Sequence, residues 1–282
     1  MNNQELFNVK GAIYISARAW NPYQMWRDYD AKETERDCSY AQSIDLNALR
    51  IWLSYEYWLE DSDSAFEKFD HLLDTAKRHG MKIVPSLFEG NGPDPTPSQL
   101  QDRSIDTAVC VASPSREIIL DETLWKGPKG FVKAFMTRYA NDTRLLAIEL
   151  INEPENLGIA EKSIDSGRFF SLRSKCMKFT REIVALANEM RGEIKLTVGC
   201  GPIALNGAYE DLGIDIWQLH HNFPKSEEEL ISTLEEAKLL QEVMKKPVWI
   251  AEWQRIRAST GWQGEKILDD LLMPGLATAA AL

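Results

Sequence analysis

The stretch that decides the fold is Ile148-Glu149-Leu150-Ile151-Asn152-Glu153-Pro154-Glu155. An apolar run of strand length stops in Asn-Glu-Pro. It reads as a buried strand that delivers an amide and a carboxylate to a surface, with Pro154 barring further ladder pairing. A second run, Pro247-Val248-Trp249-Ile250-Ala251-Glu252-Trp253, ends the same way. Working outward, strands are expected over Val9–Ser16, Ala48–Leu53, Met81–Phe88, Leu145–Asn152, Ile194–Cys200, Ile214–His220 and Pro247–Glu252. Helical patterns fall between them at Ser64–His79, Phe131–Tyr139, Gly167–Arg191 and Ser226–Lys245, with another starting at Trp262–Leu272. Asp63 or Ser64 is expected to cap the first of these and Gly80 to close it.

Strands alternating with helices predict parallel strands joined by crossover helices, an α/β chain of the (β/α)8 TIM-barrel class. Seven strands can be counted. The tail Gly261–Leu282 reads as helix plus an alanine-rich end, so the barrel is expected to be incomplete at its C-terminus, with an open edge beside strand one or seven. Pro85, inside the third strand, predicts a bulge or local break, because proline removes a ladder donor. The connection from Glu89 to about Leu124 is long, stiffened early by Pro93, Pro95 and Pro97, and leaves the end of the strand where barrels keep their sites.

The 282 residues contain no repeat and no linker, so residues 1–282 read as one domain. With 44% hydrophobic and 27% charged residues, the chain is of the ordinary globular kind. A formal net charge of −11 argues against a nucleic-acid partner and is compatible with a neutral one. No apolar run approaches the ~18 residues of a membrane span. Met1–Leu6 lacks a basic-then-apolar leader, which points to the cytoplasm. Cys38, Cys110, Cys176 and Cys200 are scattered, without a CxxC pair; they read as reduced structural thiols, not a metal cluster.

The chemistry gathers at strand ends. Strand one is followed by Ser16, Arg18 and Trp20; strand two carries Arg50; strand three ends in Glu89, strand four in Asn152 and Glu153, strand six in His220 and His221, strand seven in Glu252 and Trp253. Two carboxylates on one rim suit cleavage of an acetal, which needs one acid and one nucleophile or base. Arg50 in an apolar strand needs a carboxylate partner, as an unpaired buried charge is costly. Beside Glu252 it would hold that residue ionised and oriented, though a plain core ion pair competes with this reading. Glu153 would carry the proton, its pKa raised by apolar surroundings and a nearby negative charge. Trp20 and Trp253 are the preferred sugar-stacking candidates among Trp20, Trp26, Trp52, Trp58, Trp125, Trp253 and Trp262, whereas Trp217 and Trp249 read as core. A metal reading also exists: His220 and His221 with Glu153, Glu252 and Glu89 could make an oxygen/nitrogen site, although the spacing carries no metal signature. His71 and His79 lie on an expected surface helix and read as solvated.

Asn152-Glu153-Pro154 on strand four, Glu252 on strand seven and Arg50 on strand two resemble the clan A glycoside hydrolases, in particular the cellulase-like family 5 and its relatives. The resemblance runs from Lys10-Gly11-Ala12-Ile13-Tyr14 to Glu252. It implies Glu153 as acid/base, Glu252 as nucleophile, Asn152 as donor to the sugar 2-hydroxyl and Arg50 as orienter of the nucleophile. The chain departs from the family at three places. Strand three reads Pro85-Ser86-Leu87-Phe88-Glu89 in place of a histidine. Strand six offers His220-His221-Asn222 or His221-Asn222-Phe223 without the family's tyrosine. The aromatic platform of strand eight is missing with that strand. The expected function is a retaining β-glycoside hydrolase acting on a β-linked glucan, mannan or related oligosaccharide or polysaccharide, with no cofactor and no metal. Glu89, Arg50, Asn152, His220, His221, Trp20 and Trp253 are the expected substrate-binding residues around Glu153 and Glu252. Two alternatives stay open: a carbohydrate-binding barrel without turnover, and a metal-dependent sugar isomerase or lyase.

Overall fold

A computed structural model describes residues 3–156, 166–222, 224 and 226–254. The strands are β1 (Gly11–Ile13), β2 (Ala48–Trp52), β3 (Lys82–Ser86), β4 (Ile148–Asn152), β5 (Leu196–Gly199), β6 (Trp217–Asn222) and β7 (Val248–Gln254). All pair parallel: β1 to β5 follow one another in a single sheet, β6 pairs with β7, and a bridge from Thr197 to Ile216 joins the two groups. The described residues thus form an incomplete (β/α)8 barrel. β1 is an edge among them, with Gly11 and Ile13 exposed. The expected helix at Trp262–Leu272 and the question of an eighth strand fall outside the described residues. Among those residues no helix is long and apolar enough to cross a membrane.

Strand periodicity sorts the side chains into two cores. Leu49, Ile51, Ile83, Ile148, Val198 and Leu219 face outward beneath the helices. Their alternates Ala48, Val84, Ala147 and Ile216 face into the barrel and pack with Leu6 and Leu146. Leu6 and Val9 come from the segment before β1, so that segment plugs the lower end, tied by the Trp249 indole N–H donating to the Leu6 carbonyl (2.8 Å). The helix Ser62–Arg78 shows why the outer layer forms. Phe69, Leu72, Leu73 and Ala76 recur at helical spacing and are fully buried. Each large one stabilises the fold by about 1.5–3 kcal/mol. Its cap is Asp61, which accepts from the Ser64 N–H (3.0 Å), rather than Asp63 or Ser64 as expected. His71 and His79 are not solvated. Both are half-buried, bonded to the Tyr29 hydroxyl and to Glu35 and Gln42.

Pro85 pairs in register with Ile51 on β2, but on the β4 side the ladder breaks. There Ile83 N–H donates to Arg144 and Leu87 N–H to Glu149, and Pro85, at the position between, has no proton to give. All four cysteines are free thiols.

Candidate active site

The site is assembled around Arg50. Two residues after Ala48 and on the same face of β2, it points into the barrel. Its Nε and Nη2 grip Glu149 (2.8 and 2.7 Å), Nη2 also donates to Asn152 Oδ1 (2.7 Å), and Nη1 donates to Glu252 Oε1 (2.8 Å). The Trp52 ring lies 4.7 Å from the guanidinium carbon. Glu252 was the expected partner; the larger share goes to Glu149, a wholly buried carboxylate that sequence reading passed over. Burial pushes Glu149 up, but the Arg50 charge outweighs it and leaves its pKa below the ordinary carboxyl value.

Glu149 and Asn152 are three residues apart and would face opposite sides of a regular strand. They meet the same guanidinium because β4 carries an extra residue: Glu149 pairs with Thr197, yet Asn152 pairs with Gly199. Gly199 leaves the space they need, since a Cβ there would lie 3.0 Å from both side chains.

Glu153 follows with φ of 42°, a left-handed conformation unusual for a side-chain-bearing residue. Its N–H donates to the Gly199 carbonyl (2.6 Å). The chain after β3 presses onto this turn: Gly90 N–H donates to the Asn152 carbonyl (2.7 Å), and a Cβ on Gly90 would fall 2.1 Å from the Glu153 carbonyl oxygen. This close approach delivers Asn91, whose Nδ2 donates to Glu153 Oε2. Asn156 Nδ2 donates to the same oxygen (2.6 Å), and His220 Nδ1 lies 2.6 Å from Oε1. The expected raised pKa of Glu153 is therefore corrected. Burial does push it up, but the His220 bond and charge and the two amides outweigh burial and bring it below the ordinary value.

Glu252 reaches the same place by a second irregularity. Leu219 pairs with Ile250, whereas the next residue, His220, pairs with Glu252. Asn222 Nδ2 donates to Glu252 Oε2 (3.0 Å) and His220 Nδ1 lies 3.7 Å from Oε1. A carboxylate oxygen of Glu153, one of Glu252 and the imidazole nitrogen of His220 all lie within 4.8 Å of one another.

Glu89 is only 3% exposed, behind Asn152 rather than on the cleft surface. Both its oxygens accept from Asn152 Nδ2 (3.0 and 3.0 Å), and Oε1 also accepts from Asn91 N–H (2.7 Å). Burial, reinforced by the Glu252 charge, pushes its pKa up to about 8 against the pull of these bonds.

The structure thus brings Glu153, Glu252, Arg50, Asn152, Glu89 and His220 into one hydrogen-bonded cluster. His221 alternates to the outer side of β6, where it lines a cavity with Thr233 and Glu236, and burial lowers its pKa. Trp253, half-buried beside Glu252, has no partner for its indole N–H among the described residues. Trp20 is exposed and outside the cluster. Trp26 and Trp125 are 2% exposed and bonded to the Trp52 and Ile118 carbonyls, so they are packing, while Trp58 stacks on Tyr55 and meets Phe131 at a tilt. Trp262 lies outside the described residues. Besides Glu149, sequence reading missed Asn91, Asn156 and the role of Asn222. Glu149 had a signal: a second unpaired charge in an apolar strand, opposite in sign to Arg50.

No protein-family model matches the chain, and no curated protein matches it. Its fold is nevertheless that of several solved structures. An exo-β-1,4-mannosidase from Opitutaceae bacterium strain TAV5 superposes with a TM-score of 0.66 at 17% identity, over 98% of this chain and 50% of that one. The hyperthermostable endo-1,4-β-D-mannanase of Thermotoga petrophila RKU-1 gives 0.61 at 12% identity, over 97% and 84%. The endo-1,4-β-mannanase of Rhizomucor miehei gives 0.59 at 14%, over 86% and 78%. The chain spans about half the length of the Opitutaceae enzyme. The resemblance to the family 5 glycoside hydrolases of clan A holds in the fold: this chain is a barrel of their kind.

Proposed function

We propose that the chain is a retaining β-glycoside hydrolase acting on β-1,4-mannosidic or related β-linked sugars. The observation that carries this is the approach of one carboxylate oxygen of Glu153 and one of Glu252 to within 4.8 Å, with His220 Nδ1 between them. Retaining pairs stand about 5–5.5 Å apart, whereas inverting pairs need ~6.5–9.5 Å to admit a water. The mannanase-like barrel supports a mannan-type substrate.

In this reading Glu252, its two oxygens fixed by Arg50 and Asn222, attacks the anomeric carbon as the bond to the leaving oxygen breaks. Glu153 gives a proton to that oxygen. Its resting hydrogen bonds favour the charged form, so binding must first supply the proton, and the His220 imidazole, with Nδ1 2.6 Å from Glu153 Oε1, stands in place to pass one. Water then cleaves the glycosyl-enzyme ester, with Glu153 as base.

A second reading has one observation in its favour: Glu153, His220 and Glu252 offer three ligand atoms close enough to hold a cation. Arg50 on Glu252 and the amides on Glu153 already fill much of that ligand capacity and place a positive charge beside it.

The deciding experiment screens β-mannans, β-glucans and aryl β-glycosides, with proton NMR of the first-formed anomer. A β product at first supports double displacement. An α product removes it, activity lost to a chelator and restored by a divalent cation favours the metal reading, and binding without turnover leaves a carbohydrate-binding barrel.

A further inference from the structure

The carboxylate of Glu89 makes no hydrogen bond to either glutamate of the pair, yet it touches the amides that serve both. Asn152 Nδ2 donates to its two oxygens, and Asn91 N–H closes onto Oε1 across a two-residue turn. Backbone pairing fixes Glu89 from both sides, by a parallel bridge to Asn152 and an antiparallel one to Ser113. The Asn152 amide is locked in one sense. Its oxygen faces the Arg50 guanidinium and its nitrogen faces a carboxylate, and a flip would set N–H against N–H and oxygen against oxygen. With one N–H held by Glu89, the second is left for a ligand. The same guanidinium that holds Asn152 holds Glu252, so this N–H lies beside the group that attacks the anomeric carbon. The sugar oxygen nearest to that carbon on the ring's carbon side is O2. The Asn91 side chain, meanwhile, donates to Glu153.

We propose that Glu89 is a positioning residue: it aims the Asn152 amide at the sugar 2-oxygen and the Asn91 amide at Glu153, and so couples the loop after β3 to both reacting carboxylates. The inference rests on the hydrolase reading of this site. A carboxyl group suits the task because its Oε1 accepts from both amides, Asn91 N–H and Asn152 Nδ2, and a proton on Oε2 can turn away from Asn152 as the N–H pair of a glutamine cannot.

The test compares an aryl β-glycoside with its 2-deoxy counterpart for the wild type, Glu89→Gln and Asn91→Ala. Glu89→Gln preserves volume but presents an N–H to one of the two amides. On the 2-hydroxy substrate it should lower kcat/KM about 100-fold, chiefly in kcat, and on the 2-deoxy substrate by less than about tenfold, because the bond it misdirects is absent there. Asn91→Ala should slow both substrates equally, since it acts on Glu153 alone. Equal losses on both substrates for Glu89→Gln would overturn the proposal. Crystal structures of Glu89→Gln and Glu89→Ala give a reading free of turnover: the Asn152 amide should rotate or Asn91 withdraw from Glu153, and both staying in place would overturn it. A wild type that cleaves no β-glycoside would sink the hydrolase reading, and the two crystal structures would still decide whether Glu89 aims these amides.

Discussion

The interior of the barrel changes character halfway up. Its lower layer is Leu6, Ala48, Val84, Leu146, Ala147 and Ile216, filled by apolar side chains without a single polar contact among them. Its upper layer is Arg50, Glu149, Asn152, Glu89, Glu153, His220 and Glu252, in which every one of these side chains has a directional partner. The same chain segments build both: Ala48 and Arg50 are two residues apart on β2, and Ile216, directly before β6, is four residues from His220 on it. The lower layer stabilises through area, which tolerates changes of shape. The upper layer spends desolvation energy on fixed geometry, since a buried ion pair is seldom a net gain over apolar packing. One layer holds the barrel together and the other holds a pair of carboxylates in place.

The strongest way to break this contrast is to remove the acceptor of the proposed covalent bond. Glu252→Gln should lower kcat on an aryl β-glycoside by about 10⁴-fold or more, with the thermal midpoint within a few degrees of wild type. Activity within tenfold of wild type would strip the upper layer of its catalytic meaning.

Next is the ion pair itself. Arg50→Met leaves Glu149 buried without a counter-charge, and should cost about 3–5 kcal/mol in urea unfolding. The double variant Arg50→Met with Glu149→Leu should recover most of that while activity stays lost. A double variant no more stable than the single would mean that the pair is worth more to the fold than an apolar replacement.

A smaller effect lies at the margin of the upper layer. Glu56, on the helix Tyr55–Glu60 after β2, accepts from the Ser113 hydroxyl (2.9 Å), and burial pushes its pKa up to about 7. A carboxyl raised in the fold favours the protonated native state. Its contribution is full below about pH 4.5, the unfolded value, and is lost as pH rises through about 7. Glu56→Gln should therefore lessen the fall in stability between pH 5 and pH 8, by roughly 2 kcal/mol. An unchanged slope would place the titration elsewhere, with Glu89 the next candidate, since it moves in the same direction.

The contrast also explains what could be read from the chain. The barrel was legible because β2, β3, β4 and β7 are apolar runs ending in polar residues, and Pro85 announced its own broken ladder. The helix Ala31–Ser43 was not. Its buried residues are Glu33, Thr34, Cys38 and Ala41; three of them keep helical spacing, but they are small or polar, so the stripe is too weakly apolar to stand out. In the site, Asn152, Glu153 and Glu252 announced themselves as polar residues where apolar runs stop, and Arg50 as a charge inside one. Asn91, Asn156 and Asn222 did not, because an asparagine in a turn is ordinary. Asn91 and Asn222 arrive at the carboxylates through the Gly90 approach and a strand irregularity, which are tertiary events, and Asn156 through the tight turn that follows Glu153. The proton on Glu153 was misjudged for a similar reason: burial can be guessed from an apolar run, but His220 and Asn91, which with the local Asn156 override it, come from other strands and loops.

The smallest effect sharpens the contrast from below. Ile216 is fully buried in the lower layer, and its carbonyl accepts the Thr197 hydroxyl (2.9 Å) where β5 meets β6. Ile216→Val removes one methylene and leaves that backbone contact intact. It should cost about 0.5–1.5 kcal/mol, the transfer term plus a small cavity. His220 stands four residues further along the same chain segment, held by Glu153 rather than by the lower core. If the layers are independent, kcat/KM should stay within twofold of wild type, because the carboxylates are placed by hydrogen bonds that this change does not reach. Close packing transmits strain, however, and Ile216 leads directly into β6, which carries His220. A tenfold loss of activity alongside so small a loss of stability would show that the lower layer sets the height of His220 as well as supporting it.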